Sequence, residues 1–133
     1  MIYLLHGPDT YQSRRKLCEI IAAYQSRAGA DFSLHRLDAE EDDLSSLKNL
    51  TQVSSLFGGK KLIVCERAVS CGREFPVVRT AAERAAGAED ILLVLWEEAL
   101  TGDGLVRLRD IRNFADQTQE FKFLAPAKVR QWI

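Results

Sequence analysis

Apolar residues fall along this chain in two patterns. Ile2-Tyr3-Leu4-Leu5, Leu62-Ile63-Val64-Cys65 and Ile91-Leu92-Leu93-Val94-Leu95-Trp96 are unbroken runs, as strands covered on both faces require. Between them the apolar positions recur every three or four residues. Leu17, Ile20, Ile21, Tyr24 and Ala28 predict a helix closed by Gly29, because that spacing builds one buried face. A strand over Phe32 to Leu37 follows. Leu44, Leu47 and Leu50 then predict a second helix, with Asp42 and Asp43 at the end where the helix dipole favours negative charge. Val77 to Ala86 predicts a helix ended by Gly87. A further helix is expected over Leu105 to Phe114, apolar at 105, 108, 111 and 114 or 115, and a last strand over Gln119 to Phe123.

Strands alternating with helices make this an α/β chain: a three-layer α/β/α parallel sheet of about five strands joined by right-handed crossovers. With 133 residues, 47% of them hydrophobic, the chain fills one domain, 1–133, and is too short for two ordinary ones. No run approaches the roughly 18 apolar residues of a membrane span, and Met1 to Leu5 lacks the basic start of a signal peptide. A cytoplasmic protein is expected, with no membrane partner. Val129, Trp132 and Ile133 read as the first turns of a helix that goes on.

The formal charge of -1 argues against holding nucleic acid by bulk electrostatics. It is unevenly spread: Asp38, Glu40, Glu41, Asp42 and Asp43 form an acidic group, while Arg14, Arg15 and Lys16, then Arg107, Arg109 and Arg112, are basic. Both read as solvated helix faces and ends. Three cysteines, Cys18, Cys65 and Cys71, with no CxxC spacing, suit reduced thiols better than a disulfide framework or a zinc site.

In such a fold the turn after the first strand is where phosphate binds, since backbone N–H groups and a helix N-terminus converge there. A working GxxxxGK[ST] loop needs its second glycine, its lysine and its hydroxyl. Counted from Gly7, those places hold Gln12, Ser13 and Arg14, and Asp9 adds a negative charge. The loop is degenerate and no nucleotide is expected on it. GxGxxG is absent too. Cys65 and His6 both end predicted strands, but without an orienting third group Cys65 reads as a small buried hydrophobe. Glu97 and Glu98 after Trp96 read as a strand leaving into solvent, with no histidine or aspartate to complete a metal site. No catalytic residue, metal or cofactor is expected.

What remains is the stretch from Thr51 to Glu66. Leu56 and Phe57 lie about 100° apart on a helix, so with Val53 they span a wider arc than one core-facing stripe covers, and Gly58-Gly59 ends any helix there. Either Leu56 and Phe57 are both core residues, or at least one points away from the body of the domain at an apolar tip anchored by the strand from Leu62.

These pieces together resemble the N-terminal domain of the delta subunit of the bacterial DNA polymerase III clamp loader. The matching residues are Ile2 to Thr10, Leu37-Asp38 with its acidic follow-on, Ser55-Leu56-Phe57-Gly58-Gly59-Lys60-Lys61-Leu62-Ile63-Val64, Ile91 to Glu97, Glu120 to Leu124 and Trp132-Ile133. The block from Ser55 to Val64 is the most specific. The resemblance implies an AAA+ type domain that has lost ATP binding and hydrolyses nothing itself. It implies that the domain grips the beta sliding clamp and helps to open the ring during DNA replication. Gln52, Ser55, Leu56 and Phe57 then form the clamp-binding motif, Leu56 and Phe57 as the apolar wedge and Gln52 as the polar contact. Partners would include the gamma/tau and delta prime subunits, with DNA met only through the assembled loader, and lid and collar domains beyond Ile133. The competing class is a doubly wound enzyme that binds a nucleotide or small molecule at the Gly7 turn. A receiver-like module is disfavoured by the lack of paired carboxylates after the first strand.

Overall fold

The computed structural model describes residues 1–29, 32–52 and 60–123. They form strand β1 (Ile2–His6), helix α1 (Thr10–Ala28), β2 (Phe32–Asp38), α2 (Ser46–Gln52), β3 (Lys60–Glu66), α3 (Ala68–Cys71), α4 (Phe75–Ala86), β4 (Ile91–Trp96), α5 (Asp103–Arg112) and β5 (Gln117–Glu120). The five strands lie in one parallel sheet in the order β2-β3-β4-β1-β5. The expected three-layer α/β architecture is the one observed.

The unbroken apolar runs split cleanly between the two faces. Leu62, Val64, Leu92, Val94, Trp96 and Leu5 pack beneath α1, against Leu17 and Ile20. Their neighbours Ile63, Cys65, Leu93, Leu95, Ile2 and Leu4 pack on the opposite side against α2, α3, α4 and α5. Every second residue is claimed by a different layer, so the central Leu62 to Cys65 of β3 and the whole of β4 are apolar. One helix covers the first face and four the second. In α4 the inward positions are Val78, Ala81, Ala82 and Ala85, all fully buried; their small side chains let the helix axis sit close to the sheet.

Several expected boundaries moved. The second helix begins at Ser46 rather than beside Asp42, because the acidic residues are spent on turns: Asp42 accepts from the Asp38 amide at 2.8 Å and Asp43 from the Ser45 amide at 2.9 Å. Leu44 is buried just ahead of the helix. The last strand is Gln117–Glu120, not Gln119–Phe123. Its register on β1, Tyr3 against Gln117 and His6 against Glu120, is set by backbone pairing, and as an edge strand it carries polar residues that no hydrophobic pattern marks. The short helix α3 was not expected at all.

Candidate functional site

The carboxyl ends of β1, β3 and β4 meet the start of α1. β1 ends at His6 and the chain turns through Gly7, whose φ is 129°. A Cβ there would collide with the backbone of Phe121, so only glycine lets the chain beyond β5 cross the turn. The crossing takes up one of the turn's donors and the turn itself takes up others. Asp9 N–H donates to the Phe121 carbonyl at 3.0 Å, Thr10 N–H to the Pro8 carbonyl at 2.9 Å and Ser13 N–H to the Asp9 carbonyl at 3.1 Å. Gln12 N–H donates to the Asp9 carboxylate at 3.1 Å, which caps α1. The amides of Asp9, Thr10, Gln12 and Ser13 are thus already satisfied by the protein.

The side chains close the rest of the site. Ser13 is fully buried and accepts a hydrogen bond from the Trp96 indole Nε1–H at 2.9 Å. Arg14 lies with its guanidinium 4.0 Å from the centre of the Trp96 ring and pairs with Glu66 at 2.7 Å. Arg36 approaches the same carboxylate at 3.6 Å. Arg67, itself in the left-handed region at φ 61°, pairs with Asp38 at 2.6 Å and Glu98 at 3.2 Å. The indole, stacked by one guanidinium and flanked by another, fills the space between the start of α1 and the ends of β3 and β4. Arg14 is therefore not merely a solvated helix charge. Gly7, Gln12, Ser13 and Arg14 lie together at this turn, where the Ser13 hydroxyl and the Arg14 guanidinium are engaged by protein groups.

Glu97 departs from its sequence reading as a strand exit into solvent. It is fully buried, accepts from the Ser70 N–H at 2.8 Å and leaves its Oε2 without a hydrogen-bond partner among the described residues. The chain folds back after Arg67 to form α3, and the amides of Ala68, Val69 and Ser70 face the carboxylate. Burial pushes the Glu97 carboxyl up to about 7 against the pull of those amides. Cys65, also buried, is driven well above the ordinary thiol value by burial and by the neighbouring carboxylates, Glu97 first. It faces the α3 side of the sheet and is separated from β1, and so from His6, by the whole of β4. No nucleophile pair forms. Among the described residues, no group of three or more His, Cys, Asp and Glu side chains could hold a metal ion, and no helix is long and apolar enough to cross a membrane.

Of the apolar tip, Gln52 is the last residue of α2, while Ser55, Leu56 and Phe57 lie outside the described residues. The anchoring of the tip is described: Lys60 opens β3, and Lys61 Nζ reaches back to the Leu50 carbonyl at 3.3 Å. β3 begins at the amino end of the sheet, opposite the closed turn.

No family model and no curated protein matches the sequence. Among solved structures the fold is similar to that of the Bacillus subtilis DNA clamp loader delta protein, with a TM-score of 0.67 and 18% sequence identity over 98% of this chain. The chain spans 41% of the length of that protein.

Proposed function

We propose that this chain is a clamp-loader delta-type domain that binds a sliding clamp through the segment from Gln52 to Phe57 and has no nucleotide chemistry of its own. The observation that carries the reading is the likeness of nearly the whole chain to a DNA clamp loader delta protein. The closed turn after β1 supports it from an independent direction, because it takes away the usual site of action of such a fold and leaves the α2–β3 tip as the place to act. Leu56 and Phe57 each bring roughly 1.5–3 kcal/mol of burial to a preformed pocket, as interface anchors do. A wedge that fits the open ring better than the closed one shifts the ring equilibrium by that difference in affinity.

Titration of the chain with the bacterial beta sliding clamp tests the proposal. Saturable binding that Leu56→Ala/Phe57→Ala weakens at least about a hundredfold, or roughly 2.7 kcal/mol, is expected. An absence of binding, or equal affinity in the double variant, would overturn it.

A further inference from the structure

At the carboxyl end of the sheet, the edge formed by β1 and β5 borders an open cavity of about 340 Å³. Its wall is one face of α5, carrying Leu105, Leu108, Arg109 and Arg112; across from it stand His6 and Glu120. The spacing of the four α5 residues places them on one side of the helix. Leu108 sits in the core, whereas Leu105 keeps 40% of its surface exposed, beside Val106 at 63%.

The charges of the cavity do not cancel among the described residues. Arg14, Arg36, Arg67 and Arg79 all have carboxylate partners, and Arg107 is bonded to the carbonyls of Val69 and Ser70. The guanidiniums of Arg109 and Arg112 make no side-chain hydrogen bond and no ion pair among the described residues. The carboxylate of the lining, Glu120, is engaged by Lys122 at 3.3 Å. Burial, against the pull of Glu120, holds His6 below its ordinary value, with Arg112 adding to the effect; at neutral pH it adds no positive charge to the two guanidiniums.

Two unpaired guanidiniums over a partly open leucine wall select a ligand that is both anionic and apolar. A bare phosphate satisfies the charge and leaves Leu105 wet. A nucleic-acid backbone calls for a longer basic stripe than two arginines and for a chain with a positive surplus, which this one lacks. We propose that this cavity docks an acidic segment of a partner protein, one apolar side chain lying against Leu105 and Leu108 and its neighbouring carboxylates forking onto Arg109 and Arg112. The surface lies at the carboxyl end of the sheet, opposite the amino end at which Lys60 opens β3, so it serves a second partner contact rather than the one proposed for the clamp.

The test uses the 133-residue chain and a fluorescein-labelled peptide of alternating leucine and aspartate, followed by fluorescence anisotropy. Saturable binding is expected, weakened at least about tenfold by Arg109→Glu/Arg112→Glu and by Leu105→Ser, and unchanged by Leu56→Ala/Phe57→Ala. All three positions on α5 are exposed, so circular dichroism should show the fold intact. Failure to bind, or equal binding in the charge-reversed variant, overturns the proposal. So does displacement by millimolar inorganic phosphate or by an oligothymidine, since either would make this a site for bare anions or nucleic acid. Loss of binding in the Leu56/Phe57 variant would overturn it as well, by assigning the peptide to the tip.

Discussion

Glu97 holds a carboxylate where a folded protein pays most for charge. Its partners are amides at the start of a one-turn helix, and one oxygen has none among the described residues. Burial lifts its folded value to about 7 from an ordinary 4.5, so between those values the folded protein holds a proton that the unfolded chain has released. The contribution of Glu97 is therefore greatest below the lower value and is lost as pH rises through the upper one, by up to about 3 kcal/mol for a shift of this size. His6, whose value is lowered, acts in the opposite sense, losing stability as pH falls, which is why a variant must be compared with its parent. Glu97→Gln keeps an oxygen for the Ser70 amide and cannot ionise. Urea unfolding at about pH 5 and about pH 8 should show the two proteins alike at the lower pH and the variant more stable at the higher. Parallel pH profiles would mean that Glu97 titrates in the fold as it does in the unfolded chain, that is, in contact with solvent. The sequence could not reveal this residue's role, because two glutamates after a strand look the same whether the chain runs into water or folds back over them.

At the scale of elements, what the sequence disclosed depended on whether burial left a pattern. β1, β3 and β4 are visible because both faces of each are claimed. α1 and α4 are visible from a single stripe and a terminal glycine, Gly29 and Gly87. α3 has only four residues, too few for any period, and is held by tertiary groups: Glu97 at its amino end and Arg107, donating to the Val69 carbonyl at 2.7 Å, near its other end. β5 is held almost wholly by backbone pairing, and its attachment continues past its end, where Phe121 N–H donates to the His6 carbonyl at 2.7 Å and the Phe121 carbonyl receives Asp9 N–H. Gly7 makes that crossing possible. Gly7→Ala should cost at least about 1–3 kcal/mol from backbone strain alone, and the collision with Phe121 should fall on the edge strand. Amide exchange should then quicken in β5 and at Asp9 more than in β3 or β4. Uniform loss of protection across the sheet would show instead that the crossing belongs to the global folding unit.

For the molecule as a whole, the question is whether the fold's usual ligand can still enter. The degenerate spacing of Gly7, Gln12, Ser13 and Arg14 was legible in the sequence, but what replaces the phosphate was not: Trp96 comes from a strand eighty-three residues beyond Ser13, and only the sheet order brings β4 beside β1. To admit a nucleotide, the protein would have to expose the indole N–H, separate Arg14 from Glu66 and lift Phe121 off the turn, and the first of these leaves a buried polar group unpaired at about 1–3 kcal/mol. A ligand bound at a hundred times its dissociation constant stabilises the folded state by about 2.7 kcal/mol, a shift of several degrees in a domain of this size. Thermal unfolding with millimolar ATP or ADP and magnesium should therefore give the same Tm as unfolding without them. A clear rise would show that the Trp96 plug opens, returning the doubly wound nucleotide-binding reading to first place. Ser13→Ala refines the result: it strands the Trp96 N–H and should lower the Tm without making it depend on nucleotide, because the loop amides and the Arg14–Glu66 pair still close the site.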